Sequence, residues 1–207
     1  MIAVLTGDLV NSSKMKPNTY TEAISILKSI MRLADERYGA KGEIYRGDEF
    51  QIQFPNPSHA IGCTLLLKLA LHCAPQTDKP ILSTLSLAYG EQTLHSNSPT
   101  TATGPVFIES GRGLNKTPRG DLTIRFAGNV SEEMQLLTGF LSHQLNKMTK
   151  TQAELLYTYI INDFPDHQKI AEITKTSRQN ISNRLSSIGA TLIRDYIGVV
   201  NQRVTTA

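Results

Sequence analysis

The sequence predicts an α+β chain: a ferredoxin-like or palm domain followed by an all-α helix-turn-helix module. Three observations predict it. Strand-type and helix-type runs follow one another as β-α-β-β-α-β, with a loop, a further strand and a further helix behind them. A Gly-Asp turn joins the middle two strands, and three capped helical patterns close the chain. The palm pattern is a split βαβ unit, an antiparallel sheet with helices on one face. The boundary is placed between residues 144 and 145, giving a palm-like domain over 1–144 and a helix-turn-helix module over 145–207.

Ile2 to Leu5 is an apolar run ending in Thr6-Gly7-Asp8, a buried strand and then a loop. Thr19 or Thr21 is placed to cap a helix whose Ile24, Leu27, Ile30, Met31 and Leu33 recur at helical spacing. Gly42 to Phe54 reads as a hairpin. Phe50, Ile52 and Phe54 alternate on its far strand, Ile44 and Tyr45 mark the near one, and Gly47-Asp48 supplies the positive φ of a tight turn. Pro57 to Ala74 is a helix apolar nearly all round, so it is buried or covered by a partner. Ile81 to Tyr89 is a strand. Gly90 to Gly120, rich in Ser, Thr, Gly and Pro, is a loop region with a short helix near Pro105 to Leu114. Leu122 to Phe126 is the last strand, and a helix begins near Ser131.

In the last third, Thr149-Lys-Thr-Gln152 is a capping-box pattern ahead of a helix carrying Ala153, Leu155, Leu156, Tyr159 and Ile160. Asp166 caps a second helix through Ile170, Ala171 and Ile173, and Ser177 caps a third through Ile181, Leu185, Ile188 and Leu192. The third helix turns Arg178, Gln179, Asn180, Asn183 and Arg184 outward. With Lys175 and Ser177 these are residue types that read guanine and adenine edges in the major groove, so double-stranded DNA is the expected partner.

Charge supports that expectation. Residues 1–144 hold 13 Lys+Arg against 13 Asp+Glu, and residues 145–207 hold 8 against 5, so the whole net charge of +3 lies in the last third. The start of the chain has no basic n-region, and the most apolar stretch, Ala60 to Ala74, carries Lys68 and His72 and is too short to span a bilayer. Cys63 and Cys73 lie about 15 Å apart on one helix, beyond disulfide reach. The five histidines show no zinc spacing. A reduced, cytoplasmic protein with no membrane partner is expected.

Two acidic positions carry the chemistry. Asp8 ends the first strand and Asp48-Glu49 sits at the hairpin tip. In a split βαβ sheet those strands are neighbours, so the carboxylates meet at one sheet end and suit Mg²⁺ held with substrate phosphates. Either acid alone also serves as a cap or turn residue. Thr6-Gly7-Asp8-Leu9-Val10-Asn11-Ser12, Gly47-Asp48-Glu49-Phe50-Gln51, Gly104-Pro105-Val106-Phe107, Gly111-Arg112, Leu114-Asn115 and the Thr149-x-x-Gln152 segment together resemble the SatD family of bacterial proteins. That resemblance implies the two-part architecture. The strand-end Asp and the Gly-Asp hairpin are also similar to palm domains of class III nucleotidyl cyclases and GGDEF diguanylate cyclases. By that similarity Asp8 and Asp48 are metal ligands with Glu49 as helper. Where cyclases carry Asn-x-x-x-Arg, this chain has Arg112-Gly-Leu-Asn115-Lys116. Arg46, Arg112, Asn115 and Lys116 are candidates to contact a nucleotide or phosphate ligand. The expectation is a homodimeric DNA-binding regulator whose palm-like domain senses a nucleotide with Mg²⁺. The alternative is a nucleotidyl cyclase or nucleotidyltransferase that uses the helix-turn-helix for recruitment.

Overall fold

The computed structural model describes residues 1–45, 47–77, 79–92, 103–127 and 131–206. Its elements run β1 (Ile2–Leu9), α1 (Pro17–Tyr38), β2 (Lys41–Tyr45), β3 (Glu49–Phe54), α2 (Ala60–His72), β4 (Ser83–Gly90), α3 (Pro105–Lys116), β5 (Leu122–Phe126), α4 (Glu132–Lys147), α5 (Lys150–Ile161), α6 (His167–Thr174), α7 (Arg178–Ser187) and α8 (Ala190–Thr206). The five strands form one sheet in the order β2-β3-β1-β4-β5. β1 is antiparallel to both β3 and β4, β2 to β3, and β5 lies parallel to β4.

Side chains alternate across a strand, and here both faces are covered. Ala3, Leu5, Leu9, Phe50, Ile52, Phe54, Leu85 and Leu87 join Ala23 and Leu27 of α1 and the leucines of α2 in the main core. Val4 and Ala88 point the other way and pack on Val106 of α3. The expected arrangement of helices on one face is therefore corrected: α3 covers the opposite face of β1, β4 and β5. The physical reason is β5. A strand parallel to β4 needs a crossover, and α3 lies within that crossover against the sheet.

α2 is buried along its length except at Gly62 and Ala70, as an all-round apolar helix must be. Its cover comes from two directions, α1 and α5. His72 Nε2 bonds Met148 O at 2.7 Å, and Lys150 Nζ donates to Ala74 O at 2.9 Å, tying the end of α2 to the start of α5. α4 runs unbroken through 144/145 and packs on β5. One continuous hydrophobic cluster reaches from β1 to Val204 of α8.

Most caps form as expected. The Thr149 capping box is complete, with Gln152 answering the Thr149 N–H, and Asp166 and Ser177 accept from Lys169 N and Asn180 N. The start of α1 differs. Neither Thr19 nor Thr21 caps it; Lys16 occupies the N-cap and Pro17 the first turn, where a missing N–H costs nothing. Cys63 and Cys73 are free thiols. No helix among the described residues is long and apolar enough to cross a membrane.

Candidate functional site

The end of β1 and the turn between β2 and β3 meet at one edge of the sheet. The register Gly7↔Phe50 places Asp8 beside Glu49, and on its other side Asp8 pairs with Thr84. Gly7 makes this possible: a Cβ there would press into the Phe50 ring and lie 2.8 Å from Leu85 Cδ2. Gly47, at φ 85°, turns the hairpin so that Asp48 comes back toward β1. Tyr20 of α1 donates its hydroxyl to Gly47 O at 2.7 Å and fixes the tip from outside.

The Asp8 and Asp48 side chains stand close to one another, with the charge of Glu49 close by. Partial burial first, then the Asp48 bond and the charges of Asp48 and Glu49, push the Asp8 carboxyl up to about 6, against a lowering hydrogen bond from the Leu9 backbone. Two neighbouring carboxyls repel one another when both are ionised, and a cation between them relieves that repulsion. Among the described residues no group of three or more His, Cys, Asp or Glu is set to hold a metal alone. Two carboxylates are the residue types that could hold a hard cation such as Mg²⁺, which keeps water and phosphate oxygens in its remaining positions.

Below the acids the same sheet face is polar. Gln51 Nε2 donates to Thr6 Oγ1 at 3.0 Å, Thr6 Oγ1 bonds Ser110 Oγ of α3, and Ser110 Oγ reaches Ser86 O. The alternation Gln51-Ile52-Gln53, with Thr6 and Ser86 on neighbouring strands, is the signal that would have found this layer. Gly113 lets α3 sit against it, since a Cβ there would meet Ser86 Oγ and Arg125 Cδ.

Three other candidate residues lie on α3, which packs across β1, β4 and β5. Arg112 is exposed on α3 and pairs with Glu109 at 3.7 Å, while Asn115 and Lys116 are exposed farther along α3. Among the described residues no bond joins these three to the acids. Arg46 lies outside the described residues.

The groove-reading set is also deployed otherwise. Lys175 takes the left-handed conformation that ends α6, and the Ser177 hydroxyl is spent on its cap. Gln179 Nε2 bonds Asn183 Oδ1 at 3.2 Å within α7, and Arg184 donates to Thr151 O of α5 at 3.2 Å. Arg178 lines a cleft of about 670 Å³ with Tyr159, His167 and Arg194, and Asn180 is exposed.

No protein-family model matches the chain, so the resemblance to the SatD family gains no support. No curated protein matches it either. Solved structures do match. The chain is similar to the guanylyl cyclase Cya2, at 20% identity over 59% of this chain and 73% of that one, with a TM-score of 0.45. It is similar to the adenylyl cyclase CyaB from P. aeruginosa, at 15% identity over 66% and 79%, with a TM-score of 0.46. It is similar to the adenylate/guanylate cyclase/hydrolase from Silicibacter pomeroyi, at 16% identity over 59% and 73%, with a TM-score of 0.47. The expectation of a DNA-binding regulator is corrected accordingly. The structures matched here are nucleotidyl cyclases.

Proposed function

We propose that the sheet domain binds a nucleoside triphosphate through a divalent cation held by Asp8 and Asp48, and that it belongs functionally with nucleotidyl cyclases and nucleotidyltransferases. The observation that carries this is the placement of Asp8, near the end of β1, against Asp48 and Glu49 of the β2–β3 turn. Glu49 alongside supplies further negative charge, so a dication there relieves a repulsion that the chain itself creates. When bound, such a cation neutralises phosphate charge and aligns the α-phosphate for phosphodiester formation with loss of pyrophosphate. The chain's own part is to hold the two carboxyls, to keep the tip in place through Tyr20, and to back them with the rigid layer of Thr6, Gln51 and Ser110. The helices α5 and α8 lie on α2, and α7 packs on those two with α6 against it.

A second reading, binding without turnover, draws on Arg112, whose guanidinium is paired with Glu109 within α3. One experiment separates the two. The protein is melted with each nucleoside triphosphate, with and without Mg²⁺ or Mn²⁺, beside Asp48→Asn, and pyrophosphate release is assayed in the same mixtures. A metal-dependent rise of several degrees that Asp48→Asn abolishes, with pyrophosphate released, is the expected result. The rise without release selects binding alone. A flat response to all four triphosphates would sink the proposal.

A further inference from the structure

α4 presents an apolar stripe that no described residue covers. Leu136, Leu137 and Phe140 are 63%, 49% and 67% exposed, while Met134, Thr138, Leu141, Ser142 and Leu145 on the opposite side are buried. Three large apolar side chains clustered on one exposed helical face mark an interaction surface more often than chance scatter does. The stripe has charge at both ends. Glu132 and Glu133 occupy the first turn, and Lys147, exposed and with no ion pair among the described residues, closes the last. Phe140 lies midway between Glu133 and Lys147 along the stripe.

That placement is self-complementary. If a second α4 lies antiparallel with the two-fold axis at Phe140, Glu133 of each copy faces Lys147 of the other. Leu136 then faces Gln144, Leu137 faces His143, and the two Phe140 rings meet on the axis. Every contact occurs twice with the roles exchanged, as an isologous dimer requires. Gly139, beside the axis, has nothing within 4 Å of where its Cβ would be, so the neighbouring helix has room to approach. A parallel pairing would instead set Glu133 against Glu133 and Lys147 against Lys147.

We infer that α4 is the two-fold contact of a homodimer, with a second copy of this chain as the occupant of the Leu136–Leu137–Phe140 stripe. The inference does not depend on the nucleotide site, which lies on other elements. One helix of about 24 Å per copy is a small interface, so the dimer dissociates on dilution.

Sedimentation equilibrium of the full chain, from about 1 to 200 μM, tests this. The expected mass rises from 22.8 kDa toward twice that value. Phe140→Glu places like charges on the axis and raises the dissociation constant by at least about tenfold. Glu133→Lys and Lys147→Glu each weaken the dimer, and the double reversal restores it. All three positions are exposed, and circular dichroism checks that each variant keeps its fold. A monomer at every concentration overturns the inference. So does a dimer indifferent to Phe140→Glu, or a double reversal no tighter than the single ones.

Discussion

Asp8 sits where partial burial and two acidic neighbours act in the same direction, and only the Leu9 backbone bond opposes them. The folded protein therefore keeps a proton on this carboxyl up to about pH 6, where the unfolded chain has released it near 3.8. Protons are bound more tightly in the folded state, so this group's contribution is full below about pH 3.8 and is lost as pH rises through 6. Asp8→Asn removes the loss. Scanning calorimetry should find variant and parent alike near pH 3.5. At pH 8 the variant should melt higher by roughly 2–4 °C, about 1 kcal/mol after screening of a partly exposed group. A variant that melts lower at pH 8 would mean that hydrogen bonds to the carboxylate outweigh the repulsion. Both acids were legible in the sequence, because each ends a recognisable strand or turn. Tyr20 was not: its bond to Gly47 spans 27 residues, and nothing local marks it.

Among the elements, the hairpin is held at its tip by a distant contact. Its tip carries Asp48, and the Tyr20 hydroxyl holds the turn from α1. Tyr20→Phe keeps the ring and removes the bond, at a cost of about 1 kcal/mol in stability. If the tip sets the acid pair, metal-dependent nucleotide binding measured by calorimetry should weaken several-fold, while binding without metal stays unchanged. Unaltered affinity with the stability loss intact would make the bond structural only. Strands and turns were readable here because β1 and β3 alternate and Gly47-Asp48 leaves few conformations open. The face taken by α3 was not readable. Val106, Ser110 and Gly113 meet Val4, Thr6 and Ser86 across the sheet, and that choice depends on where β5 inserts. The start of α1 misled in a simpler way, since Pro17 outranks two threonines that lie one turn too far on.

For the molecule as a whole, the decisive fact is that the core does not stop at the sheet domain. α5 lies on α2, and Leu156, fully buried, belongs to the same cluster as Leu5 and Leu27. Leu156→Ala leaves a cavity in that shared core and should cost about 2–5 kcal/mol. The loss should appear as one transition, with the far-ultraviolet signal and tyrosine fluorescence falling at the same denaturant concentration. Two separated transitions would show that the helices α5 to α8 unfold by themselves. The all-round apolar character of α2 was visible in the sequence. Its cover was not, because the residues that meet it arrive so much later in the chain.

That delay has a consequence during synthesis. His72 and Ala74 find their partners Met148 and Lys150 only 76 residues downstream. At roughly 5–20 residues per second, the nascent α2 waits about 4–15 s for that cover. During that interval one side of this apolar helix faces solvent, the ribosome surface or a holding chaperone. Slower translation of the α3 to α4 region lengthens the wait, so yield in a fast-growing host should depend on codon choice there more than on codon choice in the first strands.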